Sequence, residues 1–148
     1  MKINALRFVL LLLLAPLSLL GAEVEKKVVY DLKSGDISTL ELRLISAVVR
    51  NTSYYEAKLE ELKAKVVIHG QSYKFFQQNS KDIKLQELGK KLKSLHENYG
   101  VAFEICEVGM KKRKIDPKTL YPFVQIVPNA TIALIDAQHA GYAFLPLY

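Results

Sequence analysis

Cysteine is scarce in this chain: its 148 residues include one, Cys106. A single cysteine cannot form an internal disulfide. Without a Cys-x-x-Cys pair, the chain also lacks the resolving thiol of a thioredoxin-like oxidoreductase. A structural zinc site needs four ligands at suitable spacing, and one cysteine with three scattered histidines gives little support for one. We therefore expect neither a disulfide framework nor a bound metal.

The sequence also lacks motifs that mark common cofactor and acyl-transfer sites. It contains no P-loop, no Gly-rich dinucleotide fingerprint and no Gly-x-Ser-x-Gly elbow, so we expect no cofactor. The net charge is +6, but the interleaved aromatic and Gly-rich patterns of RNA-binding proteins are absent. Residues 107–118 hold five basic and two acidic side chains. This concentration indicates a local patch that attracts anions, not a nucleic-acid surface.

The first 22 residues have the order of a secretory signal peptide. Two basic residues precede an unbroken apolar run over residues 8–14, and small residues follow up to Ala22. A retained membrane anchor is the alternative, but the run is broken by Pro16 and is short for the roughly 20 residues that span a bilayer. The pattern predicts cleavage after Ala22, a periplasmic location, and no membrane association of residues 23–148 afterwards.

Short apolar segments alternate with amphipathic ones along the rest of the chain. The predicted strands cover residues 28–32, 65–70, 101–106, 124–127 and 142–145. The predicted helices cover residues 38–62, 83–99 and 130–139, with a turn of helix at 73–76 and a basic helical turn after the third strand. Ser38 followed by Glu41 fits a capping box at the start of the first helix. The alternation predicts one α/β domain with a mostly parallel five-stranded sheet covered on both faces.

Cys106 falls where the third predicted strand runs into a loop that opens a helix. Open α/β sheets usually place ligands and reactive groups at such points. The following helix start and the basic run from Lys111 to Lys114 would both favour thiolate over thiol. Glu104 shares the strand side of Cys106, which favours exposure of the thiol. The alternative is an inert thiol packed inward, with the basic run as a solvated helix face.

Histidine could give Cys106 a different role. A cysteine hydrolase needs a histidine to activate its thiol. His69 ends a predicted strand, and it would approach Cys106 if that strand were a neighbour of the thiol strand. Such a histidine is more often only a polar strand terminus. Metal handling through Cys106 and His69 is a third, weaker hypothesis. Tyr73 is predicted to be a core or subunit-contact residue.

Five segments together resemble the DsrE/DsrF-like family, small α/β proteins of sulfur relay and sulfur oxidation. They are Lys27-Val28-Val29-Tyr30-Asp31-Leu32 with Ser34-Gly35-Asp36, Val66-Val67-Ile68-His69-Gly70, Cys106-x-x-Gly109-Met110, Val124-Gln125-Ile126-Val127-Pro128, and Gln138-x-x-Gly141-Tyr142-Ala143-Phe144-x-Pro146. The resemblance implies a three-layer α/β/α fold and assembly into trimers or hexamers. It also implies a persulfide role for Cys106, which matches the position where many relatives hold their cysteine. The signal peptide departs from the cytoplasmic members that thiolate tRNA, so that substrate is not expected.

These observations lead to one functional hypothesis and one alternative. The hypothesis is an exported, oligomeric protein that carries sulfane sulfur as a persulfide on Cys106 and exchanges it with a donor or acceptor protein. Lys111, Lys112 and Arg113 would stabilise the thiolate and attract a small anionic sulfur compound. The other predicted binding residues are His69, Gly109 and Met110. The alternative is a non-catalytic oligomeric module of the same fold that binds a small ligand or a partner.

Overall fold

The computed structural model describes residues 24–148, so the predicted signal peptide lies outside the described residues. Five strands form one parallel sheet in the order β4-β3-β2-β1-β5. The strands are β1 (Val24–Leu32), β2 (Glu60–Ile68), β3 (Ala102–Cys106), β4 (Val124–Val127) and β5 (Ala143–Leu147). The α-helices are α1 (Ser46–Glu56), which continues a π-helical segment (Thr39–Ile45), α2 (Ile83–Tyr99), α3 (Glu107–Arg113) and α4 (Ala130–His139). Two 3₁₀ turns cover Ser72–Phe76 and Pro117–Thr119. The predicted parallel five-stranded α/β fold is confirmed.

The direction in which the chain crosses the sheet reverses after β4. From β1 to β4 each new strand is added on the same side of the previous one, whereas β5 returns to the free edge of β1. Because parallel crossovers are right-handed, a reversal of direction places the connecting helix on the opposite face of the sheet. Helix α4 is that connection, and it contacts β1, β2, β3 and β5.

One face of the sheet, called here the apolar face, is lined by aliphatic and aromatic side chains. Its buried members on the three central strands are Val28, Tyr30, Leu32, Ala64, Val66, Ile68, Phe103 and Ile105. Helices α1 and α2 contact each other and contribute buried Val48, Leu92 and Leu95 to the same core. Continuous apolar strands are typical of a parallel sheet whose face is covered by helices.

The opposite face, called here the charged face, mixes polar and apolar side chains. Asp31, Lys65 and Glu104 lie on it together with Val29 and Cys106, as the strand registers require. Helix α4 covers part of this face with the small side chains of buried alanines. The Lys65 ammonium is paired with the Glu104 carboxylate at 2.7 Å, which offsets part of the cost of removing both charges from water.

The first helix differs from its prediction at both ends. It ends at Glu56 instead of continuing to Leu62, because Leu59 takes a left-handed conformation with φ 59° and the chain then enters β2. Leu62 is therefore a strand residue. At the other end the predicted capping box does not form, since Asp36 accepts the backbone N–H groups of Ser38 and Thr39 at 3.3 and 3.2 Å.

Strand β1 begins at Val24, earlier than predicted, because its first residues pair with the early start of β2. Within residues 24–148, no helix has the length and apolar character needed to cross a membrane.

Candidate functional site

Cys106 is the last residue of β3 and the residue before the first turn of α3. Its backbone is extended, with φ −71° and ψ 115°, so the chain turns sharply into the helix directly after it. In the sheet Cys106 pairs with Val127, the last residue of β4. The helix that follows β4 is α4, so two helices begin beside the thiol. This is the place where the strand order reverses, and ligands of open α/β sheets bind at such points.

The thiol is buried, with 7% of the residue exposed. The expected exposure of Cys106 is therefore wrong. Strand alternation correctly grouped Cys106 with Glu104 on one side of β3. That side is nevertheless buried, because α4 covers it and because Glu104 is paired with Lys65.

Backbone N–H groups from two helix starts influence the thiol, although the Cys106 side chain accepts no capping hydrogen bond from α3. Burial of the thiol raises its pKa, since a buried thiolate loses hydration. The N–H groups of Gly109, Ala130 and Val108 and the hydroxyl of Tyr73 act against burial and outweigh it. The pKa of Cys106 is therefore lowered from its ordinary value of 9.0. Hydrogen bonds to the charged form are the physical cause, as at other helix N-termini that hold anions.

Tyr73, in the 3₁₀ turn that follows β2, holds the backbone at Cys106 in place. Its hydroxyl donates to the carbonyl oxygen of Cys106 at 2.9 Å, and burial raises the pKa of Tyr73, so the phenol stays neutral. A Cβ atom at Gly109 would lie 1.9 Å from the Tyr73 hydroxyl oxygen. Gly109 is therefore required by the close approach of Tyr73 to α3.

The predicted basic residues lie around α3 in three different environments. Lys111 is paired with Glu107 at 2.9 Å on the exposed side of the helix, and Lys112 is exposed. The Arg113 guanidinium lies 4.7 Å from the centre of the Tyr73 ring and donates to the carbonyl oxygens of Gly70 and Gly109. Backbone N–H groups and the Tyr73 hydroxyl, not the lysines, account for the lowered pKa of Cys106.

A polar cavity of about 490 Å³ adjoins this arginine. Its lining includes Tyr73, Lys74, Arg113 and Lys114, with one carboxylate from Asp116. The excess of cationic side chains would favour an anionic ligand there. Tyr73 separates this cavity from the Cys106 backbone, since it lines the cavity and also bonds the Cys106 carbonyl oxygen.

The other predicted site residues are placed as follows. Met110 is buried in the core. His69 directly follows β2, which is adjacent to β3 as the hypothesis required. Its Nε2 atom is hydrogen-bonded to the Asp31 carboxylate on β1. Among residues 24–148, no three histidine, cysteine or carboxylate side chains come together as a metal site would require.

Sequence reasoning missed three contributors to this site. They are Tyr73, which is predicted to be a core or subunit-contact residue, Asp31 and the N–H group of Ala130. Asn129 carries a usable signal, because asparagine is a favoured helix N-cap, and its side chain accepts from Thr131 N–H at 2.7 Å. That cap places the first N–H groups of α4 next to the end of β3.

These features define an open parallel α/β protein with one buried thiol of lowered pKa, placed directly before a helix where the strand order reverses. The chain belongs to the DsrE/DsrF-like family, whose model matches residues 27–147. An uncharacterized protein of Aquifex aeolicus (strain VF5) is 33% identical over 154 aligned residues. That alignment covers 98% of this chain and 65% of the relative, so the chain spans less than two thirds of the relative's length.

Two solved structures share the fold. MTH1491 from Methanobacterium thermoautotrophicum, a protein of unknown function, superposes with a TM-score of 0.66 at 23% identity. The ychN protein from E. coli superposes with a TM-score of 0.51 at 14% identity. Each comparison covers 82% of this chain and 98% of the other. At these identities the likeness establishes the fold alone.

Proposed function

We propose that this protein carries sulfane sulfur as a persulfide on Cys106, in a sulfur-relay role of the kind its family membership suggests. The observation that supports it most directly is the position of Cys106 at the end of β3, beside the starts of α3 and α4, where the N–H groups of Val108, Gly109 and Ala130 lower the pKa of its thiol. A thiolate is the form that attacks a sulfane sulfur atom, and the same donors would stabilise the anion of a terminal persulfide.

Loading with thiosulfate illustrates the chemistry. The Cys106 thiolate attacks the outer sulfur atom, a new S–S bond forms, and the bond between that sulfur and the sulfonate group breaks. Sulfite leaves with the bonding electron pair, and the outer sulfur remains on Cys106 as a persulfide anion. Charge and atoms balance without an external oxidant. A polysulfide donor would react in the same way, with a shorter polysulfide as the leaving group.

Anionic donors fit the charge around the site. Arg113, Lys74 and Lys114 line the cavity beside Tyr73, so a divalent donor would be attracted to the surface on the far side of Tyr73 from Cys106. Lys112 is exposed next to this region and could contribute to the same attraction. Export to the periplasm through residues 1–22 and assembly into a trimer or hexamer are parts of the same proposal.

Mass spectrometry of the loaded protein tests the proposal. Wild-type protein incubated with polysulfide, and separately with thiosulfate, should gain about 32 Da on the Cys106 peptide, the mass of one sulfur atom. Cys106→Ser is the matched control, since it keeps the shape and removes the nucleophile. No gain in wild-type protein with either donor, or an equal gain in the serine variant, would refute the persulfide proposal.

The burial of Cys106 favours one alternative, a non-catalytic module that binds a small ligand or a partner at the same edge. A thiol with 7% exposure is less accessible than most catalytic cysteines. The alternative predicts that Cys106→Ser leaves ligand or partner binding intact. It also predicts that the wild-type thiol reacts with iodoacetamide more slowly than free cysteine at pH 7, although its pKa is lowered.

A further inference from the structure

Asp31 and His69 form a partly buried pair that the persulfide chemistry above does not use. The imidazole Nε2 atom is bonded to the Asp31 carboxylate, and Asp31 is 4% exposed. A carboxylate that holds one ring nitrogen of a histidine fixes the orientation and tautomer of the ring. His69 is therefore an oriented side chain with its second ring nitrogen still available.

The sheet places this pair at the same edge as the thiol. Strands β2 and β3 pair Val67 with Glu104 and Ile68 with Ile105, and His69 and Cys106 are the residues that directly follow this last pair. Alternate residues of a strand share a face, and the Lys65–Glu104 ion pair lies on the charged face. Asp31 on β1, His69 directly after β2 and Cys106 at the end of β3 therefore lie at the carboxyl ends of three neighbouring strands, toward the charged face.

The turn that carries His69 is fixed by local hydrogen bonds. His69 N–H donates to the Leu32 carbonyl oxygen at 3.0 Å, and the buried Ser72 hydroxyl lies within bonding distance of the carbonyl oxygens of both His69 and Leu32, at 2.6 and 3.0 Å. Gly70 then takes a left-handed conformation with φ 67°. The backbone of His69 is therefore fixed by these hydrogen bonds, and its imidazole ring is fixed by the bond to Asp31.

We propose that His69, oriented by Asp31, is the proton acceptor for the thiol that takes sulfur from loaded Cys106. This inference rests on the proposed persulfide function. In the transfer step the acceptor thiol gives its proton to the Nδ1 atom of His69, since Nε2 is bonded to Asp31, and attacks the outer sulfur of the Cys106 persulfide. The Cys106 S–S bond breaks with its electron pair going to Cys106, an S–S bond to the acceptor forms, and Cys106 leaves as a thiolate beside the two helix starts. Asp31 is a positioning residue that stabilises the imidazolium formed.

Single-turnover transfer with two acceptor thiols tests this role. Wild-type, His69→Asn and Asp31→Asn proteins are loaded with polysulfide and freed of donor, and loss of the added sulfur from Cys106 is followed by mass spectrometry. With free cysteine as acceptor, which is mostly protonated at pH 7, we expect His69→Asn to slow transfer about 10²-fold, since general-base catalysis contributes about 10²–10⁴-fold. With 5-thio-2-nitrobenzoate, an aromatic thiol already ionised at pH 7, we expect less than a threefold change.

Loading and folding are measured on the same samples. The extent of loading is recorded for each variant, and transfer is compared only between equally loaded samples. His139→Asn is the control and should load and transfer as wild type does. His69→Gln provides a second variant if His69→Asn does not fold. Equal slowing with both acceptors would assign His69 a structural role and overturn the inference, as would no slowing with cysteine. A wild-type protein that never loads would refute the persulfide function itself, and the proton acceptor with it.

Discussion

The two faces of the sheet carry different side chains: the apolar face contributes to the hydrophobic core, and the charged face carries the ionisable groups and the thiol. The apolar face is closed by α1 and α2 over a continuous set of buried aliphatic and aromatic side chains. The charged face is partly covered by α4 and holds the Lys65–Glu104 pair, the Asp31–His69 pair and the thiol. Charged and polar groups are costly to bury without partners, and on this face they are paired with one another. The proposed function uses this face. The following substitutions test the difference between the two faces and are ordered by decreasing effect.

Phe103→Ala tests the apolar face. Phe103 is 1% exposed, and its ring lies 5.6 Å from that of Phe76 and 5.5 Å from that of Phe123. Loss of this ring should lower the free energy of unfolding by about 3–5 kcal/mol, measured by urea denaturation. Phe144→Ala, at a β5 residue on the charged face that is 39% exposed, is the control. Equal losses for the two variants would contradict the division between the faces.

Lys65→Met tests the ion pair beneath α4. Glu104 is 9% exposed, so removal of its partner leaves a nearly buried carboxylate unpaired. We expect a loss of about 2–4 kcal/mol, less than for a fully buried pair, and the double variant Lys65→Met/Glu104→Leu should recover most of it. Lys90→Ala, which breaks the exposed pair with Glu87, should cost under about 0.5 kcal/mol. A double variant less stable than the single one would count against this account.

Gly109→Ala tests the approach of Tyr73 to α3. The added methyl group would collide with the Tyr73 hydroxyl oxygen, so either the ring or the helix must move, at a cost of about 1–3 kcal/mol. The movement should also raise the pKa of Cys106, because the Gly109 N–H and the Tyr73 hydroxyl both lower it. Val108→Ala, at an exposed position of the same helix, should change stability by no more than about 0.5 kcal/mol. A stable Gly109→Ala variant with an unchanged thiol pKa would contradict the packing argument.

The smallest effect is the pH dependence of stability due to Cys106. The thiol has a lower pKa in the folded protein than in the unfolded chain, so between these two values the unfolded chain binds more protons and stability rises with pH. The contribution is complete above the ordinary pKa of 9.0 and is lost as the pH falls through the folded-state value. Wild-type protein should therefore gain stability relative to Cys106→Ser as the pH increases toward 9, measured by urea denaturation. Tyr73→Phe should reduce the gain, and a constant difference across this range would exclude a lowered pKa.

Much of the fold could be predicted because each strand is a short apolar run bounded by turn residues. The parallel sheet followed from the alternation of such runs with helices. The helix end was missed for a physical reason: Leu59 and Leu62 continue the spacing of the helical residues before them, although a left-handed turn at Leu59 ends the helix. The spacing of hydrophobic residues does not reveal a single residue with a left-handed backbone conformation.

The site was less predictable than the fold because its parts are distant in sequence. The position of Cys106 at the end of a strand could be read from its neighbours. Its burial could not, since Ala130 and the rest of α4 belong to a later segment and Tyr73 to an earlier one. The helix start after Cys106 was correctly expected to favour the thiolate, since the N–H groups of Val108 and Gly109 lower the pKa. The basic run was given the same role because it is close in sequence, whereas the other contributors are Ala130 and Tyr73, which are distant in sequence.

The crossing of α4 from β4 to the far edge of the sheet has a consequence for the newly made chain. One donor to the sulfur is the first residue of a helix whose position depends on β5 docking beside β1. Until that last strand is in place, the cysteine has only part of its set of donors and should ionise more like a free thiol. The lowered pKa of Cys106 is therefore a property of the completed sheet and not of the strand and helix that carry it.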